Sequence, residues 1–246
     1  MARFFVPREN IRRERGFVSG QELEHLRKVL RLRLGDRVTI FDDEGWEYQG
    51  TIRSLTARAG EIEILESHKA ERDSSIEIIL AQALSKGEKM DWVVEKATEL
   101  GVQTMIPFVS ARTVPRLEAK KMELRRERWK KIALSATKQS GRARIPEICD
   151  LCDFGELVRR PWSCDLKLLF WEKESQQGLS QIREEKKRLE SLLLIIGPEG
   201  GFSFEEASEA VAYGFKMIGL GKRILRTETA ALAALSIVQF LWGDMG

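Results

Sequence analysis

LLLIIGPEGG (192–201), FSFEEASEAVAYG (202–214) and FKMIGLGKRILRTET (215–229) form one continuous stretch on which the reading of the chain turns. Leu192 to Ile196 is an unbroken apolar run, the pattern of a strand covered on both faces. Gly197-Pro198-Glu199-Gly200-Gly201 stops it, and paired glycines let a ligand approach the main chain. Ser203 and Glu206 have the spacing of a capping box, so a helix starts there and stops at Gly214. Phe215 to Leu220 is a second strand that delivers Gly221 to the same sheet edge. Open α/β sheets bind ligands outside the carboxyl ends of their strands, so two such loops predict a pocket.

Outward from that stretch, residues 76–246 alternate strand and helix, which predicts an α/β fold with a mainly parallel sheet. Expected strands are Ile76 to Ala83, Val102 to Val109 and Leu166 to Trp171. A helix is expected from Glu88 to Leu100, with Met90, Val93, Val94 and Ala97 on one face. A long basic helix spans roughly Leu117 to Gln139, with Trp129, Ile132, Ala133 and Ala136 as its apolar stripe. Glu172 to Glu190 reads as a surface loop and helix. The last helix begins near Thr227 and is apolar almost all round, so it must be buried in the core or against a second subunit.

Residues 1–70 read as a separate small β domain: a strand at Arg3 to Val6, a helix from Ser19 (N-cap) to Arg31, and short strands at Arg37 to Phe41, Trp46 to Ser54 and Glu61 to Glu66. Ser67 to Ser75 is the expected linker.

The chain has 246 residues, 43% of them hydrophobic, enough for one large or two modest cores. Three cysteines build no disulfide framework, and the lone C-x-x-C at Cys149 and Cys152 has no second pair, so no metal is expected. The first residues lack an apolar signal core and no apolar stretch reaches a bilayer's thickness. A soluble, cytoplasmic protein is expected. The net charge of +3 hides an asymmetry. Residues 112–144 hold twelve Lys or Arg against three Glu, and residues 1–33 hold nine against four. Two basic patches point to a polyanion, with solvated helix faces as the bland alternative.

GPEGGFS followed by LGKRILRTETA resembles the RsmE-type ribosomal RNA methyltransferases of the SPOUT class, and His25, Val29, Leu30 and Arg31 resemble the H-x-x-x-V-L-R run of their N-terminal module. The resemblance spans nearly the whole chain. It implies a knotted parallel sheet with helices on both faces over residues 76–246, with a C-terminal trefoil knot, and a PUA-like β-barrel over residues 1–70. It implies S-adenosylmethionine as cofactor, N3 of a uridine in 16S ribosomal RNA or the small ribosomal subunit as target, and a homodimer. The family pattern E-A-x-E-Q-S-x-R is met by Ala136, Gln139, Ser140 and Arg142, with Ser135 and Lys138 in place of the two acids.

On that resemblance the cofactor contacts fall on Ile196, Gly197, Pro198, Glu199, Gly200, Gly201, Leu220, Gly221, Ile224, Leu225, Arg226 and Thr227. RNA contacts fall on Arg3, His25, Arg27, Arg31, Lys86, Lys89, Gln139 and Arg142. A uridine N3–H must be lost before methylation, and a cation beside O2 or O4 stabilises the resulting charge. Arg226 is the candidate catalytic cation; a structural ion pair with Glu199 or Glu228 is the alternative. Two other functions stay open: a SPOUT methyltransferase for another RNA site, and a non-catalytic RNA-binding assembly protein.

Overall fold

A computed structural model describes residues 1–70, 72–113, 118–174 and 177–246. The chain divides into two units: residues 1–73 with 137–145, and residues 74–136 with 146–246.

In the first unit the strands are β1 (Arg3–Phe5), β2 (Ile11–Arg12), β3 (Arg15–Val18), β4 (Arg37–Phe41), β5 (Trp46–Leu55) and β6 (Gly60–Lys69), with helix α1 (Gly20–Glu24) before β4. They form one mixed sheet in the order β1-β4-β5-β6-β3-β2, in which only β1 and β4 pair in parallel. Phe4, Val18, Leu23, Leu26, Val38, Ile40, Ile52 and Ile62 fill its core. Buried Asp42 accepts from the Glu44 and Trp46 N–H groups and the Tyr48 hydroxyl, closing the β4–β5 turn. Burial, then the bond to Asp42, pushes the Tyr48 phenol up to about 12.

Three expectations for this unit need correction. The helix expected from Ser19 to Arg31 is α-helical only to Glu24 and continues as a π turn over His25–Val29. Leu30 N–H bonds to His25 C=O, and Arg31 leaves the helix at φ +51°. Ser19 stands at the N-cap position but its side chain caps nothing. The expected linker begins inside β6, because Trp46 pairs with Lys69 and carries the ladder through polar residues. The β2–β3 hairpin was not expected at all.

The second unit is built on a parallel sheet: β7 (Glu77–Ala83), β8 (Thr104–Val109), β9 (Glu147–Ile148), β10 (Cys152–Asp153), β11 (Leu166–Phe170), β12 (Ser191–Ile196) and β13 (Lys216–Ile218). The order is β10-β8-β7-β12-β11-β13, with β9 also on β8. Its helices are α2 (Lys89–Glu99), α3 (Ala119–Ser140, whose last residues belong to the first unit), α4 (Phe154–Arg159), α5 (Leu179–Glu185), α6 (Phe204–Ala212) and α7 (Thr227–Trp242). The expected start of the basic helix at Leu117 lies outside the described residues.

One sheet face packs Ile79, Ala81, Phe108, Leu193 and Ile195 against Leu157 and Val158 of α4 and Ala207 and Ala210 of α6. On α7, which packs against α2, α5 and β12, Ala231, Ala234, Leu235 and Val238 are buried. The last helix is therefore only half buried: Ile237 and Phe240 stand 39% and 63% exposed. Cys149 and Cys152 are free, and burial pushes both thiols up to about 11, so neither is a reactive thiolate. Among the described residues no helix is long and apolar enough to cross a membrane, and no His/Cys/Asp/Glu group has the makings of a metal site.

Candidate active site

The carboxyl ends of β11, β12 and β13 are neighbours, and the three loops leaving them enclose a cavity of about 410 Å³. The loop after β12 supplies Gly197 to Phe202, and that after β13 supplies Leu220 to Arg226 before α7 begins at Thr227. All twelve residues assigned to the cofactor from sequence line this one cavity. Sequence reasoning missed the third wall, from β11 onward: Phe170, Trp171, Glu172 and Glu174. No local signal marked it: β11 ends at this edge because it pairs in parallel with β12.

The β12 loop is held from several sides. Ser203 Oγ accepts the Glu206 N–H at 3.2 Å, and Glu206 accepts the Ser203 N–H at 2.9 Å, the reciprocal capping box expected from sequence. The other Glu206 oxygen accepts the Ala111 N–H at 2.8 Å, and Arg112 donates to Gly200 C=O at 3.0 Å. The loop after β8 thus braces the glycine loop. Gly201 sits at φ +66°, a backbone conformation that L side chains rarely adopt, and a Cβ there would also meet the exposed Glu172 carboxylate, which would have to swing aside.

A buried relay joins the second loop to the first. Gln82 of β7 donates to Thr227 Oγ1 at 2.9 Å, and Thr227 Oγ1 donates to Gly197 C=O at 2.6 Å. Above it, Lys89 Nζ stands 3.1 Å from Glu199 Oε1 and 3.3 Å from Glu228 Oε2. Burial opposes ionisation of Glu199, but its own backbone N–H and Lys89 outweigh that and hold the carboxyl below the usual range. Arg226 is exposed at the cavity rim and makes no ion pair among the described residues. The alternative of an Arg226 pair with Glu199 or Glu228 is not realised among the described residues; Lys89 bonds Glu199 and stands at ion-pair distance from Glu228 Oε2, which accepts no hydrogen bond.

Among the described residues the cavity lining contains no histidine, and its titratable groups are Glu172, Glu174, Glu199, Lys222, Arg223 and Arg226. The Trp171 indole N–H is buried without a partner among the described residues.

Of the residues assigned to RNA, Arg3, His25, Arg27, Arg31, Gln139 and Arg142 belong to the first unit, and Lys86 and Lys89 to the second. Arg3 pairs with Glu47 at 2.8 Å and donates to the carbonyls of Gly141 and Arg142. Arg142 is 2% exposed and pairs with Asp73. His25 packs edge-on to Phe4 and faces Lys138, which binds both oxygens of Glu22 at 2.9 Å. Glu22 thereby explains why a lysine stands at 138. Arg27 is exposed and donates to Thr56 C=O, while Arg31, Lys86 and Gln139 lie at the surface. Lys89 is held by the two acids described above.

The RNA methyltransferase domain family matches residues 72–239, and the RNA methyltransferase PUA domain family matches residues 18–65. Ribosomal RNA small subunit methyltransferase E of Bacillus subtilis (strain 168) is 35% identical over 91% of this chain and 89% of its own length. The protein of the same name from Mesomycoplasma hyopneumoniae (strain 232) is 30% identical over 96% of this chain and 98% of its own. Among solved structures, ribosomal RNA small subunit methyltransferase E of Neisseria gonorrhoeae bound to S-adenosyl methionine superposes with a TM-score of 0.88 at 33% identity, covering all of both chains. Two-loop cavity, parallel sheet and full-length similarity converge, and the chain belongs to the RNA methyltransferase family that includes ribosomal RNA small subunit methyltransferase E.

Proposed function

We propose that this protein is an S-adenosylmethionine-dependent methyltransferase that modifies N3 of a uridine in 16S ribosomal RNA of the small subunit. The observation that carries this reading is the single cavity formed by both glycine loops at the carboxyl edge of the sheet. The residues present suit the cofactor. Ile196, Ile218, Leu220 and Leu225 offer apolar surface for a purine, and Glu172 and Glu174 balance the positive sulfonium and amino groups. When bound, S-adenosylmethionine supplies the activated methyl group. The chain's own contribution is to orient the two reactants, exclude water with the loop walls and place Arg226 where the deprotonated base carries charge. A base inside folded RNA must be turned out of its stack to reach this edge.

In this reading residues 1–70 are the PUA-like RNA-binding module and residues 76–246 the methyltransferase domain, knotted where the loop after β13 returns to the β12 loop and Thr227 Oγ1 meets the carbonyl of Gly197. The exposed cations Arg27, Arg31 and Lys86 meet phosphate, and the protein works in the cytoplasm.

It also acts as a homodimer, a reading supported by the apolar strip left open where α2 and α7 pack: Trp92, Ile237 and Phe240. Sedimentation of the native protein will give twice the mass of one chain, and Phe240→Asp will give one. A native monomer at micromolar concentration overturns this part.

The central test has two steps. Calorimetric titration with S-adenosylmethionine will show binding that Gly200→Val loses, because a Cβ at 200 already lies 3.0 Å from the Arg112 Cβ. Small-subunit RNA is then treated with enzyme and cofactor and copied by reverse transcriptase. N3 methylation blocks base pairing, so copying will stop at one uridine. A stop at another base moves the target, and a folded native protein that binds no cofactor would point to an assembly protein instead.

A further inference from the structure

Arg226 shares its surroundings with two acids it does not pair with among the described residues. Glu199 lines the same cavity, and Glu228 stands two residues away in the first turn of α7. Both are partly buried, with side chains 31% and 14% exposed. An unpaired carboxylate in such a place draws the nearest cation. One does arrive, from a different element: Lys89, the first residue of α2, at 3.1 and 3.3 Å. The bond to Glu199 raises the Lys89 ammonium above the ordinary lysine range against partial desolvation, and Glu228 adds to it.

We propose that Lys89 is a positioning residue whose task is to occupy Glu199 and Glu228, so that the Arg226 guanidinium stays open to the substrate base. The proposal rests on the role given to Arg226 above and adds how that role is kept available. It also moves Lys89 from the phosphate contact expected from sequence to a contact with Glu199, which lines the cavity. The geometry explains why a lysine serves. Its compact charge reaches two carboxylates at once, leaving the planar, two-toothed guanidinium to the partner whose oxygens it fits. Without Lys89, two acids compete with the substrate for Arg226, and the enzyme binds its cofactor but transfers slowly.

The test is a rescue series read at saturating S-adenosylmethionine on small-subunit RNA. Lys89→Met is expected to lower kcat roughly tenfold or more, a fraction of the ~10²–10³ that deletion of a transition-state donor costs. Cofactor affinity by calorimetry should stay close to native. Lys89→Met/Glu199→Gln/Glu228→Gln, in which residue 199 still offers its main chain to the cofactor, should recover part of kcat at saturating cofactor, since neutral amides no longer hold Arg226, and Lys89→Arg should do the same. A merely structural Lys89 gives no rescue by removing its partners. If Lys89→Met melts early, Lys89→Gln takes its place, keeping a hydrogen-bonding tip without the charge.

A triple variant as slow as the single one, with native melting, overturns the proposal, as does a single variant at the native rate. Arg226→Ala run alongside separates the two levels. If it transfers methyl at the native rate, the role of Arg226 fails; if it is slow and the triple variant is not rescued, only the role of Lys89 fails.

Discussion

Arg226→Ala will transfer methyl groups ~10²–10³ times more slowly than the native enzyme while binding S-adenosylmethionine almost unchanged, the signature of a lost transition-state donor. That factor corresponds to about 3–4 kcal/mol of barrier, since each tenfold is 1.36 kcal/mol. The expectation follows from position and from freedom. Arg226 stands at the cavity rim between the second glycine loop and α7, with extended backbone at the helix N-cap, so its side chain leaves the helix rather than packing along it. No carboxylate holds it among the described residues. The positive end of the α7 dipole lies beside it and adds to any negative charge it stabilises. Arg226→Lys keeps the charge and loses the fork, so it will recover only part of the rate. Single-turnover rates at saturating cofactor and RNA measure this without contribution from product release. A native rate for the alanine variant rules the cation out and returns the search to Lys222 and Arg223, which line the same cavity.

The contrast between β12 and β11 shows what the sequence exposes and what it hides. Leu192 to Ile196 followed by GPEGG carries its own punctuation, and the strand, the loop, the capping box and the helix after it all stand where the residues place them. Trp171 and Glu172 follow an equally apolar strand with no glycine to mark them, and only the adjacency of β11 to β12 makes them a wall of the site.

Long-range pairing is less legible still. Glu206 reads as a capping residue, and it is one, but its second oxygen reaches Ala111, 95 positions away. Lys89 reads as a surface lysine at a helix start. Its partners lie 110 and 139 residues further on, and no local pattern announces them. Near the other end of the chain, the spacing of Leu26, Val29 and Leu30 fits a regular helix. The chain instead widens into a π turn, which leaves Val29 and Leu30 exposed and only Leu26 in the core. Periodicity there reported the composition of the segment, while tertiary packing set its geometry.

Gly219→Ala will weaken S-adenosylmethionine binding by roughly ten- to a hundredfold, because overpacking against a rigid wall costs about 1–3 kcal/mol and each 1.4 kcal/mol is a factor of ten in Kd. Gly219 ends β13 just before the second loop, and its N–H donates to Gln177 C=O at 3.0 Å. A Cβ there would lie 2.2 Å from the Glu174 carbonyl oxygen. That neighbour is backbone, so it has no rotamer to escape through, and either β13 or the wall carrying Glu174 must move. Both border the cavity, through Ile218 on one side and Glu174 on the other.

Two residues on, Gly221 gives a control with a different physics. It holds φ +89° and an added Cβ meets nothing within 4 Å, so its cost is conformational alone. Asparagine visits the left-handed region readily, and Gly221→Asn will bind the cofactor within a few-fold of native, whereas a β-branched valine at 221 will not. Calorimetry on the three variants, with melting curves to confirm that each folds, separates close approach from backbone strain. Native affinity in Gly219→Ala would mean that the wall yields and that the loop after β13 does not set the width of the pocket.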